Sequence, residues 1–121
     1  MRVVRAVNTA RGRILGTRIG VADRWWLRLR GLSGRAELPS GEGLLLSPCR
    51  AVHMMGMRFS LDVAFLDAAN RVIARYERLA PGGRTGWHRG AHAALELPAG
   101  TLAESGTQEG DLIEYHQEDS R

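Results

Sequence analysis

The sequence predicts a mostly β protein, a compact sandwich or barrel with one short helix near residues 23–31. One observation is the alternation in residues 57–65, where every second position, from Met57 to Phe65, is large and apolar. Such a pattern places those side chains on one face of a strand. A second observation is that short β-rich runs recur along the chain, separated by glycine, proline and asparagine. Short strands at regular spacing are typical of sandwiches and barrels.

The first third of the chain predicts a hairpin followed by the helix. Two β-rich runs, residues 1–7 and 13–19, flank a turn that contains Asn8, Thr9 and Gly12. Asp23 is a suitable N-cap for the helix, and Gly31 is a suitable stop. The helix is indicated by apolar residues at helical spacing, Trp25, Trp26, Leu29 and Leu32.

The remaining two thirds predict strands joined by turns. A turn is expected at residues 67–70 and a turn or short helix at 101–105. The glycine-rich segment from Pro81 to Gly90 is long enough to act as a mobile flap over a site. Strands are expected over residues 44–46, 52–57, 57–65, 71–79, 93–97 and 111–116.

Length and composition indicate one ordinary domain. A chain of 121 residues is of single-domain size, and its 25% charged residues are typical of globular proteins. The single cysteine cannot form an internal disulfide, and no apolar run is long enough to span a bilayer. Because the N-terminal residues lack the apolar stretch of a signal peptide, we expect a cytoplasmic protein.

The charge is distributed unevenly. Residues 1–35 contain nine arginines and one acid, whereas residues 95–121 contain seven acids and one arginine, so the fold is expected to bring the two ends together. All 17 basic residues are arginine, which favours bidentate contacts with carboxylates or phosphates. The same bias is also explained by a GC-rich genome with arginines on a solvated face.

Two acids within apolar strands are the main candidate site residues. Asp62 and Glu96 could line one polar groove near His53, with arginine counter-charges that close it. Plain exposure and a structural ion pair are the alternatives, and two carboxylates could also support glycoside hydrolysis. The ligand-binding candidates are His53, Asp62, Glu96, Arg30, Arg35, Arg58 and Met57.

The soft donors near Cys49 suggest two further chemistries. Cys49, His53 and the methionines at 54, 55 and 57 would suit Cu(I), but their spacing matches no metal motif. Because methionine and cysteine commonly fill cores, we expect no metal and no cofactor. A hydrolase would use Cys49 as nucleophile, His53 as base and Asp62 to orient it.

Nucleic-acid binding is an alternative from another class. Residues 24–30 and 84–89 combine arginines with tryptophans, which can contact phosphates and stack on bases. The acidic C-terminal third and the lack of a known nucleic-acid motif argue against it. The tryptophans at helical spacing also suit core positions.

Several motifs in one order resemble the bacterial and archaeal family known as domain of unknown function 192. The resemblance covers about residues 20–115 and implies a compact, mostly β sandwich or barrel with no established activity. Many members carry an export signal, which we do not expect in this chain, and some relatives have tryptophan in place of His53. The matching motifs are Arg30-Gly31-Leu32 with Arg35, Gly43 before Leu44-Leu45-Leu46, His53-Met54 with Gly56-Met57-Arg58, Leu61-Asp62-Val63 with Phe65-Leu66-Asp67, Leu95-Glu96-Leu97-Pro98-Ala99-Gly100, and Gly110-Asp111.

The sequence therefore predicts a binding or accessory domain with a polar groove. Its partner would be a small molecule or a segment of another protein, and the domain itself would be a monomer or a weak oligomer. A catalytic role for any of the candidate residues is left open.

Overall fold

A computed structural model describes residues 2–23 and 35–117, which form seven strands and one short helix. The mostly β prediction is confirmed, and the architecture is a curled seven-stranded half-barrel sheet. The elements are β1 (Arg2–Asn8), β2 (Arg13–Ala22), β3 (Glu42–Leu46), β4 (Leu61–Leu66), β5 (Val72–Leu79), β6 (Ala93–Pro98), α1 (Thr101–Ser105) and β7 (Ile113–Gln117).

The strands lie in the order β5-β4-β6-β3-β2-β1-β7. The pair β2 and β3 is parallel and the other neighbours are antiparallel. The sheet curls until its two edges meet at one end, where Arg71 beside β5 forms a bridge with Leu112 beside β7. We call this the closed end, residues 70–72 and 110–113.

Two apolar clusters cover the two sides of the sheet. The first contains residues of all seven strands, including both edges, together with Leu102 of α1, so it fills the concave or inner side. The second joins the outer sides of the central strands to residues of the segments 47–60 and 80–92. In β4, Leu61, Val63 and Phe65 belong to the outer cluster, whereas Ala64 and Leu66 belong to the inner one. The alternation predicted from the sequence is thus confirmed for β4.

The predicted opening hairpin is confirmed, because β1 and β2 pair antiparallel. The predicted attraction of the two ends is confirmed as well, since β1 also pairs with β7. The Arg11 guanidinium donates to Asp111 at 3.0 Å, and this contact helps to hold the pKa of the Asp111 carboxyl at about 2. At the closed end Asn8 is fully buried, and its amide donates to Thr107 Oγ1 and to Asp111 Oδ2.

Three local predictions had different outcomes. Residues 101–105 form a helix, which confirms one of the two possibilities given for that segment. Residues 52–57 do not form a strand, and they contain only an isolated bridge at His53. The helix predicted for residues 23–31 lies outside the described residues, except for Asp23.

Candidate functional site

Asp62 of β4 is completely buried and accepts hydrogen bonds from three backbone N–H groups. Its Oδ1 accepts from Arg78 at 2.9 Å, and its Oδ2 accepts from Gly100 at 3.1 Å and from Leu102 at 2.8 Å. Gly100 has a φ of 99°, a conformation that glycine adopts without strain, and it is the N-cap of α1. Asp62 therefore joins β4 to β5 and to the start of the helix. Both oxygens of its carboxylate are engaged in hydrogen bonds that stabilise the fold.

Glu96 of β6 lies on the opposite side of the sheet from Asp62. In the register of β4 and β6, Asp62 pairs with Leu97 and Val63 pairs with Glu96. Paired residues in neighbouring strands point to the same face, so Glu96 shares the outer side with Val63. The prediction of one groove lined by both carboxylates is wrong. Because successive side chains of a strand point to opposite faces, Asp62 and Glu96 lie on opposite sides of the sheet.

Glu96 is buried among apolar residues and has no hydrogen-bond donor among the described residues. Only 6% of its surface is exposed, and its cross-strand neighbours are Leu44 in β3 and Val63 in β4. Burial raises the pKa of Glu96 from 4.5 to about 7, because a charged carboxylate is poorly solvated there. A buried acid with a raised pKa is a candidate functional group.

The predicted arginine counter-charges do not reach either acid within the described chain. Arg35 Nη2 instead lies 3.3 Å from Glu42 Oε1, in a pair that is partly exposed. Arg58 is exposed and forms no ion pair with the described residues. Arg30 lies outside the described residues.

His53 and the methionines are divided between the surface and the outer cluster. His53 is exposed and bridges to Arg84 through the backbone. Met54 is almost fully buried in the outer cluster, and Met57 packs against that cluster. Within residues 2–23 and 35–117, no three His, Cys, Asp or Glu side chains form a group that could hold a metal ion.

Cys49, His53 and Asp62 do not form the arrangement that a cysteine hydrolase requires. The Cys49 thiol donates to the carbonyl oxygen of Ala51 at 3.2 Å, and the residue packs against the outer cluster. Asp62 has both oxygens bonded to backbone N–H groups and belongs to the inner side. Asp62 therefore cannot orient His53.

The segments 47–60 and 80–92 are held together on the outer side by backbone hydrogen bonds. We call their exposed surface the loop face. This pairing contradicts the predicted mobile flap over residues 81–90, because backbone hydrogen bonds attach that segment to residues 50–54 at several points. The bonds run from Met54 N–H to Gly83 O, Gly82 N–H to Met54 O, Thr85 N–H to Val52 O, His88 N–H to Arg50 O, and Cys49 N–H to His92 O, at 2.8–3.2 Å.

Side chains fix the loop face from beneath. His88 packs on Phe65 with ring centroids 4.5 Å apart, and its Nε2 lies 2.7 Å from the Tyr76 hydroxyl. That hydroxyl also accepts a hydrogen bond from the backbone of Gly86 at 3.2 Å. Thr85 is buried, and its Oγ1 accepts the N–H of Val52 at 3.0 Å. The backbone beside Trp87 is therefore well anchored.

The loop face carries positive charge without any acid. Neither segment contains aspartate or glutamate, and the arginines at positions 50, 58, 84 and 89 are all exposed. None of these four forms an ion pair with a residue of the described chain. Trp87 and Met55 are also exposed, by 72% and 82%. Sequence reasoning identified the loop around Trp87 but missed the face, whose signal was the lack of acids in both segments.

A shallow cleft of about 210 Å³ lies elsewhere, between the start of β2 and α1. It is lined by small polar residues such as Thr17, Ser40 and Thr101 and by the Arg13 side chain. Arg13 donates to the carbonyl oxygen of Glu104 at 2.9 Å. None of the residues predicted as a site from the sequence lines this cleft.

The fold and these surfaces define a small half-barrel β domain with a fixed, basic loop face. The chain belongs to the family of domain of unknown function 192, described as uncharacterised ACR, because the family model matches residues 6–115. The resemblance inferred from the sequence motifs is confirmed. In the described part of the chain, no helix is long and apolar enough to cross a membrane.

Relatives of the chain are themselves uncharacterised. A UPF0127 protein from Thermococcus sibiricus is 29% identical over 95% of this chain and 77% of its own length. A protein of unknown function from Novosphingobium aromaticivorans has a similar crystal structure, with a TM-score of 0.79, 25% identity, and 93% and 83% of the two chains covered. A Sinorhizobium meliloti protein, named as a candidate transcription regulator, has a TM-score of 0.74 at 24% identity over 94% and 92% of the chains. The last likeness shows the fold alone.

Proposed function

We propose that this domain is a binding module that holds single-stranded nucleic acid on its loop face. The observation that carries the proposal is the combination of an exposed tryptophan with four arginines that form no ion pair with the described residues, on two segments that contain no acid. The proposal replaces the polar groove expected from the sequence, since Asp62 and Glu96 lie on opposite sides of the sheet.

The arginines supply the electrostatic part of binding. Arg50 and Arg89 lie near each other, because the backbone of His88 is bonded to that of Arg50. Arg84 lies farther along the same pairing, opposite His53. Guanidinium groups without acidic neighbours are available for phosphate oxygens, which they can contact in a bidentate manner. The face therefore attracts a chain of phosphates.

Trp87 distinguishes a nucleic acid from other polyanions. The residue is 72% exposed although the backbone next to it is anchored, so it presents a flat apolar side chain to solvent. Stacking of a base on an exposed aromatic ring contributes about 1–3 kcal/mol and tolerates any base. A polymer that alternates charges with planar rings thus matches this surface better than an acidic peptide does.

The fixed backbone of the loop face favours affinity. Residues 50–54 and 82–88 are already paired in the free protein, so little ordering is needed when a partner binds. Arg11 behaves differently, because its guanidinium is paired with Asp111. The Arg11 charge is thus neutralised by an acid, whereas the four loop-face arginines form no ion pair with the described residues.

The test measures binding of a fluorescein-labelled single-stranded RNA at low salt, followed by salt titration. We expect micromolar affinity that falls as salt rises, and a loss of about tenfold or more in the double variant Arg84→Glu/Arg89→Glu. Trp87→Ala should weaken binding by about tenfold, in line with the loss of one stacked base. The matched control Arg2→Glu/Arg5→Glu changes the charge equally on exposed β1 positions and should keep most of the affinity.

Two results would contradict the proposal. One is the absence of binding at tens of micromolar protein at low salt. The other is an equal loss in the loop-face and control variants, which would indicate only a diffuse effect of net charge. Tight binding to poly-glutamate with none to RNA would identify an acidic protein partner instead and would also overturn it.

A further inference from the structure

We infer that Glu96 is the anchor of a second binding site, on the outer side of the sheet, for a small organic cation that carries a guanidinium or ammonium group. This site differs from the loop face in its charge, because it uses an acid where the loop face uses arginines. The inference starts from a buried carboxylate that has no partner among the described residues.

Glu96 has no structural task comparable to that of Asp62. Asp62 accepts hydrogen bonds from three backbone N–H groups, whereas no described group donates a hydrogen bond to Glu96. Leu44 and Val63, its neighbours across the sheet, are apolar and cannot solvate a charge. A buried, unpaired carboxylate costs several kcal/mol, so a fold that needed only packing here would be better served by an apolar residue.

No cation of the described elements around Glu96 pairs with it. On β3 the charged residue of the same side is Glu42, which is engaged by Arg35. On β4 the outer positions are Leu61, Val63 and Phe65, none of which ionises. Tyr76 of β5 pairs with Val63 in the next strand, and its hydroxyl is engaged by His88. The Glu96 carboxylate is therefore left unpaired by the described elements around it.

The chemistry of the site selects the ligand. A carboxylate accepts hydrogen bonds at both oxygens, which suits the two parallel N–H groups of a guanidinium or the three of an ammonium. The apolar neighbours favour a ligand with a short aliphatic part, and 6% of the Glu96 surface is exposed to solvent. Anions are excluded by the charge of Glu96 itself.

Protonation of Glu96 gives the site a distinct pH dependence. With a pKa of about 7, Glu96 is mostly neutral at pH 6 and mostly ionised at pH 8. A cation binds the ionised form, so its affinity should rise about tenfold between these two pH values.

The test is an NMR titration of the protein with methylguanidinium chloride at pH 6 and pH 8. We expect saturable shifts of the Leu44 and Val63 methyl groups at pH 8, about tenfold weaker binding at pH 6, and no saturation in Glu96→Gln. The control Glu104→Gln changes an exposed acid and should leave the titration unchanged. The ¹³C carboxyl signal of Glu96 should titrate near pH 7 in the absence of ligand.

Two outcomes would overturn the inference. Equal shifts in wild type and Glu96→Gln would show that methylguanidinium binds elsewhere or only non-specifically. A pKa of Glu96 at or below 4.5 would show that a cation of the chain already occupies the carboxylate. RNA binding by the Glu96→Gln variant, measured in the same preparation, tests the loop-face proposal separately from this inference.

Discussion

The inner and outer sides of the curled sheet differ in whether their polar side chains have partners within the described chain. On the inner side Asp62 accepts hydrogen bonds from three backbone N–H groups. At the closed end the Asn8 amide donates hydrogen bonds to Thr107 and Asp111. On the outer side Glu96 has no described donor, and the four arginines of the loop face form no ion pairs with the described residues. Each side contains a cluster of buried apolar residues.

This difference separates polar groups that build the fold from polar groups that are available to partners. A buried polar group is stabilising when its hydrogen bonds are made and costly when they are not. Asp62 and Glu96 are both acids in adjacent central strands, so burial alone does not distinguish them. Their partners do, and the partners follow from the side of the sheet that each faces.

The largest effect is expected when Asp62 is replaced by alanine. The variant leaves the N–H groups of Arg78, Gly100 and Leu102 without an acceptor in a buried place, and it opens a small cavity. Each unsatisfied group costs about 1–3 kcal/mol, so we expect a loss of about 4 kcal/mol or more in the free energy of unfolding. Urea denaturation of wild type and variant measures it.

Glu109→Ala provides the control for that experiment, because Glu109 is an exposed acid. Its effect should stay within about 0.5 kcal/mol. If Asp62→Ala were as stable as this control, Asp62 would not be a structural residue and the contrast between the two sides would fail.

Sequence patterns predicted the strands well where one periodicity dominated. The alternation around Leu61, Val63 and Phe65 reflects a side of the sheet that must be buried, and it was therefore visible. The pairing of the oppositely charged ends was also predictable, since the charges are grouped by position in the chain. The strand order and the parallel contact of β2 with β3 were not, because long-range register leaves no local pattern.

The site was harder to predict for the same reason. Asp62 looked like a ligand-binding acid because its hydrogen-bond donors could not be recognised in the sequence. The donors are backbone N–H groups, such as those of Arg78 and Gly100, which are distant along the chain and could belong to any residue type other than proline. The mobile flap was a wrong prediction because glycine content indicates conformational freedom, whereas the pairing with residues 49–54 removes it. The family, by contrast, was identified correctly from short motifs.

The smallest effect is expected at Tyr115, which sharpens the comparison because it is an exception on the inner side. Its hydroxyl is buried without a partner, and burial raises the pKa of Tyr115. Tyr115→Phe removes this cost and should stabilise the protein by about 1 kcal/mol. Thermal unfolding followed by circular dichroism measures the change.

Tyr76→Phe is the matched control, because the Tyr76 hydroxyl has partners in His88 and Gly86. It should destabilise the protein by about 1 kcal/mol, the opposite sign. A loss of stability in Tyr115→Phe would mean that its hydroxyl makes a stabilising contact.

The most direct test of the central claim, that Glu96 is buried without a partner among the described residues, is the pH dependence of unfolding in wild type and Glu96→Gln. Because the pKa of Glu96 is raised from 4.5 in the unfolded chain to about 7 in the fold, its stabilising effect is complete below pH 4.5 and is lost as pH rises through 7. The wild type should therefore lose about 3 kcal/mol relative to Glu96→Gln between pH 4.5 and pH 8.5. Parallel stability curves for the two proteins, or a Glu96→Gln variant that is less stable at pH 8.5, would contradict the account.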